Sequence, residues 1–491
     1  VATSPADKAV SWEAGRMTFL NQSVCFMRDE ELAIDWNYAA NGKLWTYQLN
    51  YFDFLNQPDM RQETGLALIL NFIRQTPTLR TGLEAYPTSV RIINWIQFLS
   101  RCQYHNAQID QHLFAQLRLL THRLEHHLAG NHLLENSFAL LVGALYFQRH
   151  NWLRKATQLI RTEMEAQLLA DGGHEERSPV YHQLLLDRLL DVILIVRSTT
   201  WHADWSFQHL LVQQAWQMLG WLDSVTFTNG DVPMVNDAAW GVAPTTDQLR
   251  QKAQLVLPEA MPALKQRGAE QGSTGYRAFQ LPRYKLLVDV GDVGPDHQPG
   301  HAHADTFSFV LYVDDQPILV DTGTSTYQPG IRRDWERSTA AHNTVDVAGQ
   351  NSSEVWAGFR VGRRARVTIL AHTNSLLRAR HTGYQYLNVA HEREWTALPN
   401  SIQINDWVDN QRKNVTLTAT ARYYIHPDVS ITRMSDGVMA GPLRIQSHAG
   451  GPLSLRLTSY ELADGFNRLR SGWCLEITFS TKLETKLTLI A

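Results

Sequence analysis

The stretch Gly300-His301-Ala302-His303-Ala304-Asp305, followed by Val320-Asp321-Thr322-Gly323 and Ala341-His342-Asn343-Thr344, decides how the chain is read. On an extended strand alternate side chains share a face, so the pattern predicts that His301, His303 and Asp305 point the same way. Three titratable groups on one face imply a site. The apolar run from Thr306 to Val313 predicts a strand, and Asp314-Asp315-Gln316-Pro317 predicts a turn that returns Ile318 to Asp321 alongside it. Two imidazoles and a carboxylate drawn from neighbouring strands suit zinc, and His303, Asp321 and His342 are the candidate ligands.

Outward from this stretch the text stays strand-like. Lys285–Val290, Phe307–Val313, Arg366–Leu370, Ser401–Val408, Val415–Tyr424, Leu453–Leu457 and Leu475–Phe479 are apolar or alternating runs separated by turn residues, which predicts an antiparallel sandwich. Upstream the period changes. From about Glu63 to about Gly220 apolar residues recur at three- and four-residue spacing in Leu66–Ile73, Ile92–Leu99, Leu113–Leu128, Phe138–Tyr146, Leu184–Ile195 and Leu210–Leu222, with a further short helix near Thr246–Leu255. So many consecutive helices predict a toroid of helical hairpins rather than a simple bundle. The expected organisation is a helical domain over 1–257, a Pro-, Gly- and charge-rich linker over 258–275, and the sandwich over 276–491.

A chain of 491 residues, 44% hydrophobic and 19% charged, can bury more than one core. The net charge of -3 provides no basic field for nucleic acid. Cys25, Cys102 and Cys474 are too few and too scattered for a disulfide framework. No apolar run is long enough to span a membrane. The sequence begins at Val1 rather than Met, from which a removed leader and a periplasmic or secreted location are expected, a cytoplasmic one staying open.

Three helix openings carry chemistry. Tyr86-Pro87-Thr88-Ser89-Val90-Arg91 starts a helix that presents Arg91, Asn94 and Trp95 near its beginning, and a guanidinium there could clamp a carboxylate or sulfate. In Gly130-Asn131-His132-Leu133-Leu134-Glu135 the glycine predicts the end of one helix and Asn131 the cap of the next, with His132 and Glu135 on one face. In Arg177-Ser178-Pro179-Val180-Tyr181-His182 the Ser-Pro pair opens a helix whose first turn holds Tyr181 and His182, where the macrodipole would modestly favour a tyrosinate. Near the start, Trp45 and Tyr47 are candidate sugar-contacting aromatics that would equally seat the first helix.

A tyrosine, several histidines, an asparagine and an arginine, with no convincing pair of close carboxylates, fit proton abstraction beside a carboxylate better than hydrolysis. In a uronate polysaccharide Asn131 would share a hydrogen bond with the sugar carboxylate, Tyr181 would act as base and then acid, and His132 or His301 would take the proton from the other face.

Taken together and in this order, Tyr86–Trp95, Asn131-His132 with Glu135, Arg177–His182, Asn236-Asp237, Gly300–Asp305, Asp321–Gly323 and His342–Thr344 resemble the heparinase II/III-like polysaccharide lyases. The resemblance implies an incomplete (α/α) toroid followed by a β-sandwich. It implies β-elimination with Asn131, His132, Tyr181 and His301 as catalytic residues, with Arg91, Asn94, Trp95, Glu135, His182, Trp45 and Tyr47 as candidate substrate contacts. His303, Asp321 and His342 match the family's zinc ligands, with zinc in a structural role. The implied partner is an acidic polysaccharide, heparan sulfate-like or another polyuronate. Two other readings compete: a glycoside hydrolase on the same toroid, and a non-catalytic polysaccharide-binding protein of export.

Overall fold

A computed structural model describes residues 1, 3, 6–28, 31–199, 201, 204–257, 272–411 and 417–490. Residues 258–271 of the expected linker, and the start of the strand expected from Val415, lie outside the described residues. The chain divides into two compact units that interleave in sequence. One comprises Val1–Leu168, Leu185–Trp216 and Arg250–Met261; the other comprises Leu169–Leu184, Gln217–Leu249 and Pro262–Ala491.

The first unit is helical, built from Lys43–Tyr51, Gln62–Gln75, Ala85–Arg101, Ala107–Thr121, Gly130–Tyr146 and His150–Gln167, with short strands such as Arg16–Phe19 and Gln22–Cys25 before them. The helices pack as successive neighbours: Ala85–Arg101 lies against Lys43–Tyr51 and Gly130–Tyr146, which in turn lies against His150–Gln167. Close approach is purchased with small residues. A Cβ on Gly65 would stand 2.3 Å from Cζ of Phe98, so only glycine admits that ring. The apolar pattern read to Leu128 overran the helix, which ends at Thr121. Beyond it the Glu125 backbone N–H donates to Asn136 Oδ1 at 2.9 Å, so a bond from the next helix replaces the helical one. That next helix begins at Gly130 after left-handed Ala129 (φ 52°), which places Asn131 inside the first turn instead of at the cap.

The second unit carries an antiparallel β-sandwich. One eight-stranded sheet runs, in spatial order, Ser454–Ala463, Leu469–Phe479, Ala419–Ile425, Gln316–Leu319, Phe309–Val313, Tyr284–Asp289 and Tyr276–Leu281, with Val345–Val347 paired beside Ala419–Ile425. The other, also of eight strands, runs Val367–His372, Leu376–His381, Val389–Leu398, Ser401–Asn410, Lys482–Leu489, Leu443–Ala449, Gly437–Ala440 and Ile431–Arg433. Inward residues of both sheets, among them Leu286, Phe309, Leu311, Trp395, Ile404 and Ile445, form one shared apolar core. The expected helical region followed by an antiparallel sandwich is the observed fold.

The turn at Asp314-Asp315 joins Phe309–Val313 to Gln316–Leu319 as the sequence predicts, both aspartates taking positive φ. The segment His301–Asp305 corrects the reading. It is a loop with a turn and a bend and not a strand, because its N–H groups leave the ladder: His303 N donates to Asn236 Oδ1 and Ala304 N to Arg337 O.

Candidate active site

Ser178 and Pro179 open the helix Pro179–Ser198, and the Ser178 Oγ accepts from Tyr181 N at 3.4 Å. This aims Tyr181 at a cluster within the second unit. The Tyr181 and His301 rings lie 4.2 Å apart between centroids, and the Tyr181 hydroxyl is 2.9 Å from that of Tyr327. His301 Nδ1 is 2.9 Å from Asp237 Oδ2, and His303 Nε2 is 2.9 Å from Asp237 Oδ1. One carboxylate therefore serves two imidazoles.

Arg333, on the short helix Ile331–Glu336, completes the arrangement by holding both oxygens of Asp237, Nη2 reaching Oδ2 at 2.7 Å. Asp237 and Arg333 are 1% and 0% exposed. Burial alone would raise the Asp237 pKa, but the guanidinium and the two imidazole bonds hold it well below the usual carboxylate range. An ionised carboxylate only accepts, so His301 Nδ1 and His303 Nε2 both carry protons and donate to it. In neutral His301 that leaves Nε2 as the free lone pair.

The neighbouring charges set the other titrations. Burial presses the His301 pKa down, yet Glu176, whose Oε2 is 4.0 Å from Nε2, and then Asp237 raise it overall. Burial, with Tyr327, Asp237 and Glu176 behind it, pushes the Tyr181 phenol well above its ordinary value. The tyrosinate expected from the helix dipole is thus outweighed, and Tyr181 is a protonated donor. Asn236, at φ 56°, pins the surrounding backbone: its amide donates to Arg177 O and Tyr276 OH and its oxygen accepts from His303 N. Arg177 is itself left-handed at φ 57°, and such non-glycine conformations persist where their surroundings over-determine them.

The candidate zinc residues lie in the same unit. His303 is driven down to about 4 by burial and is neutral, with Nδ1 buried and unpartnered. His342 Nδ1 donates to Asp321 Oδ2 at 2.7 Å, leaving its Nε2 buried and unpartnered. The two rings are 5.4 Å apart, close to the separation of about 5 Å that two imidazoles on one tetrahedral zinc would adopt. Asp321, however, faces His342 Nδ1 as a hydrogen-bond partner, and among the described residues no three His, Cys, Asp or Glu side chains are grouped as a metal site. The two free nitrogens fit a metal ion; the expected carboxylate ligand is otherwise engaged.

The remaining candidates belong mostly to the interior. Arg91, 1% exposed, donates to Gln116 Oε1, Asn50 O, Gly82 O and Thr88 Oγ1, and burial lowers it to about 9, so its donors face the protein and not a ligand. Asn94 donates to Tyr51 O and Asp53 Oδ1, Trp95 packs among Phe52, Phe72 and His112, and Trp45 donates to Gln22 O. These four are buried within the helical unit and bonded or packed against its own residues. His182 is likewise buried against Trp221, with Nε2 on Met218 O, and burial drives it to about 3. Glu135 is buried 2.8 Å from Arg188, Tyr47 donates to Glu84, and His132 Nδ1 lies 3.2 Å from Glu125 Oε1 with its ring on Tyr86. Asn131 and His132 remain half-buried in the first turn of Gly130–Tyr146 in the helical unit. Sequence reading missed Tyr327 and Arg333 altogether, and noted Asp237 only as part of a motif.

Known proteins share this sequence pattern and this fold. The sequence pattern described as "Heparinase II/III N-terminus" matches residues 86–260, and "Heparinase II/III-like, C-terminal" matches 265–488. A heparin-sulfate lyase of Pedobacter heparinus is 25% identical over 308 residues, covering 56% of this chain and 43% of the relative. One of Bacteroides stercoris is 21% identical over 315 residues, covering 59% and 45% respectively. The match thus spans less than half the length of these relatives. A crystal structure of heparinase III superposes with a TM-score of 0.73 at 15% identity, over 95% of this chain and 80% of that one, and so shares the fold. With both halves of one family's pattern matched in order along the sequence, the chain belongs to the heparinase II/III-like family.

Proposed function

We propose that the chain is a polysaccharide lyase that cleaves a uronate-containing glycosaminoglycan by β-elimination. The observation that carries this reading is the pairing of Tyr181 with His301, a protonated phenol whose ring centre lies 4.2 Å from that of an imidazole oriented through Asp237. Elimination breaks the C–H bond beside the sugar carboxylate, forms a C=C bond, and expels the glycosidic oxygen, which must gain a proton. His301 Nε2, when neutral, takes the ring proton; the Tyr181 phenol gives one to the leaving oxygen. Asn131 and His132 are proposed for carboxylate neutralisation and proton transfer, as the family resemblance implies. The heparin-sulfate lyases among the relatives support heparan sulfate as the first polymer to try.

Hydrolysis would need two carboxylates poised for acid and base work, and Asp237 is already committed to Arg333, His301 and His303. The test is growth of the ultraviolet absorbance of an unsaturated uronate on a panel of uronate polysaccharides. Wild type should generate it on at least one polymer, and Tyr181→Phe and His301→Ala should each lower the rate about 10²–10⁴-fold with the fold intact. New reducing ends without absorbance would overturn the elimination reading.

Zinc is proposed in a structural role, with His303 and His342 holding it through their unpartnered nitrogens and Asp321 beside them; when bound it would cross-link the loops that carry these residues. Elemental analysis should find about one zinc per chain, lost in His303→Ala, and chelation should lower the unfolding temperature. A metal-free protein that neither binds added zinc nor gains stability from it would contradict the assignment.

A further inference from the structure

One hairpin beside the cluster is used by none of the chemistry above. Val355–Trp356 pairs with Arg360–Val361, and the chain turns through Ala357 and Gly358, both at positive φ (47° and 76°). Its tip is fastened from below: the Gly358 carbonyl accepts from Arg333 Nε at 3.0 Å and Nη2 at 2.8 Å. The guanidinium that clamps Asp237 therefore also clamps the hairpin. Phe359, the next residue, is 42% exposed. Its ring lies 5.8 Å from that of His301, edge to face, and 5.3 Å from that of Tyr327, with the Arg333 guanidinium 5.2 Å from its centre.

A single exposed apolar side chain is ordinary on a protein surface. Phe359 differs in being exposed and packed together. The phenyl lies against His301, Tyr327 and Arg333, the turn that precedes it is tight, and the side chain is nonetheless open to solvent. Trp356, on the same hairpin, is 46% exposed. Sugar rings present flat patches of C–H groups as well as hydroxyls and carboxylates, and a fixed aromatic face is the protein surface that receives such a patch.

We propose that Phe359 is the stacking platform for the sugar residue adjoining the bond that is broken, and so a specificity-determining residue of the site. The proposal rests on the lyase reading for its substrate, a uronate polysaccharide. The platform selects rings that offer an uninterrupted C–H face and holds them equally in the ground and transition states. Because Arg333 holds hairpin and carboxylate together, the platform and the imidazole keep a constant separation.

Binding is measured by calorimetry with size-defined oligosaccharides of heparan sulfate, chondroitin sulfate, hyaluronan and alginate, so that no turnover is needed. The proteins are Tyr181→Phe, Tyr181→Phe with Phe359→Ala, and Tyr181→Phe with Phe359→Trp, each shown to melt like the parent. Phe359→Ala should weaken binding about tenfold and Phe359→Trp should restore it. In the background with Tyr181 intact, Phe359→Ala should raise KM by a similar factor with kcat little changed. Equal binding with and without the phenyl, alongside elimination by wild type, overturns the platform and leaves the lyase reading standing. Phe359-dependent binding without elimination does the reverse. No binding of any oligosaccharide overturns both.

Discussion

Asp237 makes four polar contacts through two oxygens, to His301, His303 and both terminal nitrogens of Arg333. Its carboxylate is the reason that a buried guanidinium and the His301 imidazole can coexist. Asp237→Asn removes the charge while keeping the shape, and leaves Arg333 buried and uncompensated. It should cost about 3–5 kcal/mol in urea unfolding, in the manner of broken buried ion pairs, and a loss below about 1 kcal/mol would contradict this role. Single residues were also where sequence reading was weakest. Tyr181 announced itself through the Ser178-Pro179 opening, and His301 through its spacing from His303. Arg333 carries no comparable mark among Arg332, Arg333 and Arg337, since what distinguishes it is a partner 96 positions away. Arg91 shows the converse: a position near a helix start looks accessible in sequence, but the guanidinium is turned inward onto Gln116 and three other acceptors.

Elements with a local cause were legible. The hairpin turned by Asp314-Asp315 and the helix opened by Ser178-Pro179 stand where their residues place them. His301–Asp305 alternates like a strand and does put His301 and His303 on one carboxylate, but alternation reports a shared face and not a ladder. Strands such as Leu376–His381 and Val389–Leu398 escaped notice because buried polar residues interrupt their apolar pattern. These polar residues form a relay. His381 Nε2 donates to His391 Nδ1, His391 Nε2 to Asp406, and Arg393 joins Asp406 to the carbonyls of Phe307 and Asn343. Burial holds His381 well below its ordinary pKa and lowers His391 despite Asp406, so both rings are neutral in the folded protein. Unfolded imidazoles take up protons below about pH 6.5, which the folded ones resist, so stability falls as the pH drops from there. Asp406, whose pKa is depressed by Arg393 and His391 against its burial, gives up its contribution only below the ordinary carboxylate range. His381→Phe should lower stability at neutral pH, because Gly383 N–H loses its acceptor, and should flatten the decline between about pH 7 and pH 5. Unfolding midpoints measured across that range decide the matter; an unchanged slope would mean that other groups carry it.

At the scale of the whole molecule, the organisation departs from a simple succession of domains. The β-rich unit includes Leu169–Leu184 and Gln217–Leu249. Lys285, lowered to about 8 by burial, donates to the carbonyls of Ser224 and Thr226, and Trp221 donates to Thr274. A fragment of residues 276–490 would strip Lys285 of these carbonyls and Arg333 of Asp237 while leaving both sheets' strands in place. It should lack a cooperative thermal transition by circular dichroism, whereas adding back 169–275 should restore one. A sharp transition in the short fragment would show that the sandwich stands without those segments. Among the described residues no helix is long and apolar enough to cross a membrane.

The interleaving also sets a timetable for the nascent chain. Asp237 leaves the ribosome 96 residues ahead of Arg333, an interval of roughly 5–20 s at bacterial and eukaryotic elongation rates of about 5–20 residues per second. For that time its carboxylate has no guanidinium to enter a dry interior with, and the hydrated state is the cheaper one. Tyr181 waits longer still for His301. The cluster around Asp237 is therefore assembled only after Arg333 has been synthesised, and a product truncated before it would lack the guanidinium that this carboxylate is buried with.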